Sequence, residues 1–402
     1  MRRASAGVGS FGVVVLLAVI ALVVAACGGP VFANPPAPHP VVTPAPSGTP
    51  RPPDPQPVVL PADDAAHDRL TEWWYYTGHL TDGTGGHWGF EYVVFRAERG
   101  SFPVSWASHL ALTDETGQRF HYAQRAEIGP QVNVAATGSA PAGGMFDLAI
   151  RGLNASDPTT FTRAPWTMVG ANGTDQLAAS ASSAETRGDP ADGFGLALSL
   201  TATKPPALHD TDGYVAFGDA GGSYYYSRTA MTATGSLSVG TKQLAVTGTA
   251  WFDHQWGDFI SVGAGGWDWF ALNLGDGTDV TLSMVRAADG TYPLVYGTLV
   301  APDGSTRRLG PGDFTVTPTA HWTSPSTGAV YPSGWSVGIP SAGITAQLTP
   351  AVPQQELDTR ATTGVVYWEG SQVVIGSRNG QPIGGEGYVE LTGYGPGLGT
   401  GH

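Results

Sequence analysis

The chain has 402 residues, 57 of them Gly and 32 Pro, and is 13% charged, 41% hydrophobic and 10% aromatic. That much Gly and Pro argues against a mostly helical protein, while the apolar and aromatic content is enough for a packed core and too high for a disordered chain. The net charge of −14, from 33 acids and 19 bases, excludes a phosphate backbone and so nucleic acid as partner, and a single cysteine excludes an internal disulfide.

Arg2 and Arg3 precede an uncharged apolar run from Phe11 to Ala26, which has the charged and apolar regions of an export signal and is short for a membrane span. The run closes on Val24-Ala25-Ala26-Cys27-Gly28, a pattern that resembles the lipobox of bacterial lipoproteins, in which the cysteine is acylated and becomes the first mature residue. Residues 1–26 are thus expected to be removed. Cys27 is expected to tether the protein to a membrane of the bacterial cell envelope, firmly if it carries two acyl chains, since each buried methylene adds ~0.8 kcal/mol. Residues 27–62, with Pro35, Pro36, Pro38 and Pro40 among many prolines, read as an extended polyproline II spacer.

After Asp63 the sequence becomes short apolar and aromatic runs separated by turn pairs such as Asp82-Gly83, Asp276-Gly277, Asp289-Gly290, Asp303-Gly304 and Asn379-Gly380, which are hairpin signals. Runs such as Trp88 to Arg96, Trp106 to Leu112, Phe194 to Thr201, Leu244 to Phe252, Trp267 to Leu274 and Gly364 to Ile375 have strand length, and no long stretch has helical periodicity. The expected fold is all-β, built of antiparallel meanders. Its length calls for two β domains, placed at 63–257 and 258–402. Several strands carry apolar residues on both faces, as barrels do that pack outside and bind an apolar molecule inside; a sandwich core fits equally.

Alternate residues of a strand share a face. In Trp267-Asp268-Trp269-Phe270 this sets Asp268 beside Phe270, Leu272 and Leu274, a carboxyl on an apolar face, where desolvation raises the pKa toward that of a general acid. An arginine pair or a turn cap is the alternative for Asp268. In Trp251-Phe252-Asp253-His254-Gln255-Trp256 the same rule puts Phe252, His254 and Trp256 together. There the imidazole could hold a water and the indole face a cation, or the histidine could simply be a packed core residue. Glu72, Trp74 and Tyr76 form a third such face, and with Trp267 and Trp269 they are the candidate ligand-lining residues, unless they plug the barrel floor. His79, His87, His109 and His121 lack the spacing and acidic companions of a zinc site, and no HExxH or P-loop motif is present, so no metal and no cofactor is expected.

Taken together, Glu72-Trp-Trp-Tyr, His109-Leu-Ala-Leu-Thr-Asp, Trp251-Phe-Asp-His-Gln-Trp-Gly, Gly266-Trp-Asp-Trp-Phe, Tyr367-Trp-Glu-Gly and Gly387-Tyr-Val-Glu-Leu-Thr-Gly-Tyr resemble the AttH and carotenoid 1,2-hydratase (hydroxyneurosporene synthase) family, from about residue 67 to 395. The resemblance implies two tandem lipocalin-like β-barrels. It also implies a hydrophobic ligand, isoprenoid or lipid, to which water is added, with a His, Trp, Tyr and Asp set of which His254, Trp256 and Asp268 are the counterparts here. The position two before Asp268 is Gly266, so the tyrosine of that set has no counterpart in this region. In the hydratase reading Asp268 protonates an alkene, Trp256 steadies the cation and His254 deprotonates the water. Rival readings are a non-catalytic carrier or envelope binding protein, and a cofactor-free cyclase or secreted hydrolase.

Overall fold

The computed structural model describes residues 53–99, 102–129, 145–152, 164–188, 192–218, 221–259 and 265–395; the export signal, Cys27 and the spacer up to residue 52 lie outside these residues. The regular structure described is almost entirely antiparallel strand, in two large curled sheets and a small two-stranded one, His321–Thr323 with Val330–Pro332. This is the all-β, tandem lipocalin-like architecture expected above.

The first sheet runs in the order Phe146–Ile150, Trp166–Ala171, Thr174–Ala181, Phe194–Ala202, Gly222–Val239, Lys242–Gly257, Thr71–Asp82, His87–Ala97, Ser105–Asp114, Arg119–Ile128 and Arg187–Gly188. It curls until its ends meet: Arg125 donates to the carbonyls of Ile150, Ala164 and Ser180 and lies over the Trp166 ring. The second sheet follows the order Thr306–Leu309, Leu294–Val300, Asp279–Arg286, Gly266–Leu274, Gln381–Thr392, Val366–Arg378, Ile344–Pro350, Trp335–Ile339 and Thr315–Pro318. Gly257 ends the last strand of the first sheet and Gly266 begins the second.

The Asp-Gly pairs do what their chemistry dictates. Asp276, Asp289 and Asp303 each accept the backbone N–H two residues on, at 2.9–3.0 Å, and the glycine between adopts φ of +82° to +84°, a left-handed conformation that costs glycine nothing. Each such turn closes a hairpin and so fixes which residues face inward.

Inside the first barrel the large side chains Trp74, Tyr76, Phe90, Trp106, Trp166 and Phe252 are fully buried and pack as one cluster. The barrel is filled by aromatics rather than hollow. The last ten residues of the expected spacer take part: Val58 and Leu60 pack against this cluster, and Gln56 N–H donates to the Tyr224 hydroxyl at 2.7 Å. Residues 53–70 thus cross one end of the barrel as a strap.

The outward faces of the same strands build a seam between the barrels, where Tyr75, Val93 and Trp251 pack against Trp269, Ala271 and Tyr388. A Cβ on Gly89 would lie 2.8 Å from the Tyr388 hydroxyl and 2.9 Å from Ser371, so at this point the seam closes only over a glycine.

Candidate functional site

Three neighbouring strands set a block of nine side chains on the inner face at the strap end of the first barrel. The register places Glu72 opposite Trp256, Trp74 opposite His254 and Tyr76 opposite Phe252 on one side. On the other side Tyr224 lies opposite Trp256, Tyr226 opposite His254 and Arg228 opposite Phe252. Cross-strand partners have their Cβ atoms about 5 Å apart, so the order of residues in three strands becomes a compact layer of charge and aromatic rings.

Glu72 is fully buried and is the hub of this layer. It accepts from the backbone N–H of His67 at 2.9 Å, and its Oε1 lies 2.8 Å from His67 Nδ1 and 2.9 Å from His254 Nε2. Burial pushes the Glu72 carboxyl up, but the two imidazoles outweigh it and hold the group down at about 2. Burial pulls His67 down, yet the charges of Glu72 and Asp63 leave it raised, which favours the protonated ring. In His254 burial prevails over Glu72, so its pKa falls and the ring stays neutral. His254 is sealed, stacked on Trp74, and its Nδ1 has no hydrogen-bond partner.

His67 stands at the open side. Its ring lies flat on Trp256, centroids 4.1 Å apart and planes at 1°, and its Nε2 is 3.5 Å from Asp63 Oδ1. Asp63 accepts the Val59 N–H at 2.6 Å. Burial would raise the Asp63 carboxyl, but His67 and that amide hold it below the ordinary value. His67, Asp63, Arg69, Tyr224 and Trp256 line a cavity of about 120 Å³. Around it the charges are paired: Arg69 makes a two-pronged bond to Asp54 at 2.6 and 2.7 Å and a third bond to Asp258 at 2.8 Å. Beneath, Arg228 grips both oxygens of the fully buried Asp64 at 2.8 and 3.0 Å, and Tyr226 donates to the same carboxylate. Tyr76 donates to Asp175, a carboxyl that burial raises to about 6.

The three atoms His67 Nδ1, Glu72 Oε1 and His254 Nε2 lie within 4.8 Å of one another and could hold a divalent ion. Their N–O separations of 2.8 and 2.9 Å are those of hydrogen bonds, shorter than the roughly 3.4 Å between ligand atoms around a tetrahedral ion with ~2.1 Å bonds.

Of the residues expected from sequence, Glu72, Trp74, Tyr76, His254 and Trp256 are thus brought together. Asp268 is not among them. It lies in the second barrel, bonded to Arg286 at 2.8 Å, Tyr292 at 2.9 Å and Tyr394 at 3.0 Å. Burial raises its carboxyl as anticipated, against the pull of Arg286, but its surroundings are the arginine pair that was the alternative reading. Trp267 and Trp269 face the seam, their indole N–H groups donating to Glu390 and to the Tyr225 hydroxyl. Sequence reasoning missed Asp63, Asp64, His67, Tyr226 and Arg228. The alternation Tyr224-x-Tyr226-x-Arg228, and the polar run from Asp63 to Arg69 just before Glu72, were the signals available.

The family model described as AttH-like matches residues 51–394. Among solved structures, the chain is similar to a crystal structure of an AttH protein from Nitrosomonas europaea, with a TM-score of 0.69 and 31% identity over 85% of this chain and 98% of that one. It is also similar to kievitone hydratase from Nectria haematococca, with a TM-score of 0.62 and 16% identity over 84% of this chain and 93% of that one; at that identity the likeness is one of fold. No curated protein matches the chain by sequence.

Proposed function

The chain belongs to the AttH-like family, and on that premise we propose that it is an acid–base hydratase of apolar molecules. In this reading the strap end of the first barrel takes the end of an isoprenoid or lipid chain and adds water across a double bond there. The observation that carries the reading is the pair at the cavity: an imidazole and a carboxylate 3.5 Å apart, the first shifted toward its protonated form and the second toward its ionised form by the charges around them.

His67 gives its Nε2 proton to one carbon of the double bond, and the carboxylate of Asp63, 3.5 Å from that nitrogen, steadies the cation left on the other. The oxygen of water bonds to that carbon, and Asp63 takes the surplus proton and returns it to His67, so atoms and charge balance without a cofactor. Glu72 is a positioning residue: it fixes the His67 ring from behind through Nδ1 and favours its charged form. The cavity of about 120 Å³ is several times what one water needs. It suits a terminal group and one water, with the rest of the substrate outside the aromatic-filled barrel. That a hydratase shares the fold supports the same reaction class.

Export and tethering through acylated Cys27 complete the proposal, because the strap would carry the spacer away from the same end of the barrel and keep that end near the lipid in which such substrates dissolve. Loss of the protein from the membrane fraction on Cys27→Ser would support this.

The test of the chemistry is incorporation of oxygen from ¹⁸O-labelled water into a panel of terminally unsaturated isoprenoids and lipids. His67→Gln and Asp63→Asn should each lower turnover about 10²–10⁴-fold. Unchanged turnover in both variants rejects the assignment. Binding without turnover in the unmodified protein would favour the carrier reading.

A further inference from the structure

We propose that the two barrels are docked through protons held on Glu91 and Glu369, so that alkaline pH loosens the seam. The two carboxyls exchange phenols across it. Tyr367 of the second barrel donates to Glu91 of the first at 2.9 Å, and Tyr75 of the first donates to Glu369 of the second at 2.8 Å. Both glutamates are buried, at 1% and 0% exposure, and the Oε2 atom of each has no hydrogen-bond partner. A carboxylate buried with one phenol and no cation is costly, and a neutral carboxyl in the same place costs far less.

The groups that face them make ionisation harder. Glu390 lies directly opposite Glu369 in the strand register, a like-charge pairing that destabilises if both ionise. From the first barrel come Tyr75, Tyr225, His109 and Asp253, the last held by Tyr225 at 2.5 Å, Trp251 at 2.7 Å and Ser227. From the second come Trp267, Trp269, Tyr367 and Tyr388. His109 bonds the Tyr367 hydroxyl at 2.8 Å and burial drops it to about 3, so it brings no charge. His79, whose pKa Glu115 raises against burial, sits at the edge, engaged by the Gly387 carbonyl and Glu115. Among the described residues no Lys or Arg is bonded to Glu91, Glu369 or Glu390. Burial first, then the neighbouring acids, raises Glu91 to about 8, Glu390 to about 7 and Glu369 well above the usual range.

The direction follows. A carboxyl whose pKa is higher when docked than when exposed favours docking fully below its ordinary value of 4.5, and the advantage is lost as pH rises through about 8. Each proton released on opening changes the docking equilibrium about tenfold per pH unit.

Small-angle scattering of the purified protein between pH 6 and 9.5 should show expansion on the alkaline side, with the open fraction rising by at least about tenfold. The double variant Glu91→Gln, Glu369→Gln mimics the neutral acids and should stay compact across that range. Equal expansion of both proteins overturns the proposal. Should the double variant not fold, carboxyl ¹³C NMR of the unmodified protein decides: two buried glutamates titrating near or above neutrality support the proposal, and titration of all glutamates in the ordinary range overturns it.

Discussion

The first barrel's mouth and the seam lie on opposite faces of the same strands, and each is neutralised in its own way. At the mouth Asp64 meets Arg228, Glu72 meets His67 and the half-buried Asp54 meets Arg69, with Asp175 alone left to a phenol. At the seam Glu91, Glu369, Glu390 and Asp253 meet phenols, indoles and a hydroxyl. The pH responses are therefore opposite. Glu72, held down at about 2, contributes stability that is present above 4.5 and lost as pH falls from there through about 2; Glu91, raised to about 8, contributes stability that is lost as pH rises through it. Ion pairing suits a site that must hold charge beside a substrate. Neutral acids suit an interface that has only to be closed.

The contrast can be broken most severely at Asp64. Asp64→Ala leaves Arg228, itself 3% exposed, without its partner, and should cost about 3–5 kcal/mol in urea unfolding. The seam has no such charge to strand, so its sharpest perturbation is steric. Gly89→Val forces side-chain atoms onto Tyr388 and Ser371 and should cost about 1–3 kcal/mol, read as the same loss in unfolding free energy. The smallest effect is expected where neither region is touched. Ile375, 68% exposed on the second barrel, should tolerate Ile375→Thr within about 0.5 kcal/mol, and a larger change would mean that this outer face is packed against something.

The strands and hairpins were legible because their signals are local. Phe194 to Thr201 falls within the strand Phe194–Ala202, and Trp106 to Leu112 within Ser105–Asp114. Period two also told correctly which residues share a face: Glu72 with Trp74 and Tyr76, and His254 with Trp256. It could not tell what each face meets. The motif Trp251-Phe-Asp-His-Gln-Trp supplies both regions, its Trp251 and Asp253 to the seam and its His254 and Trp256 to the barrel. Likewise Asp268 and Trp269, adjacent in sequence, point into the second barrel and into the seam respectively.

The order of residues by itself determined an all-β chain, its turns, and the two-sided character of each aromatic strand, since these depend on backbone geometry repeating every two residues. Only the tertiary structure decided that Glu72 would join His67 and His254 across 182 positions, that Asp268 would be held by Arg286, and that Glu91 and Glu369 would meet without a counter-charge. Those outcomes depend on how sheets curl and dock, and Coulomb and desolvation energies are set by that distance and burial rather than by separation along the chain.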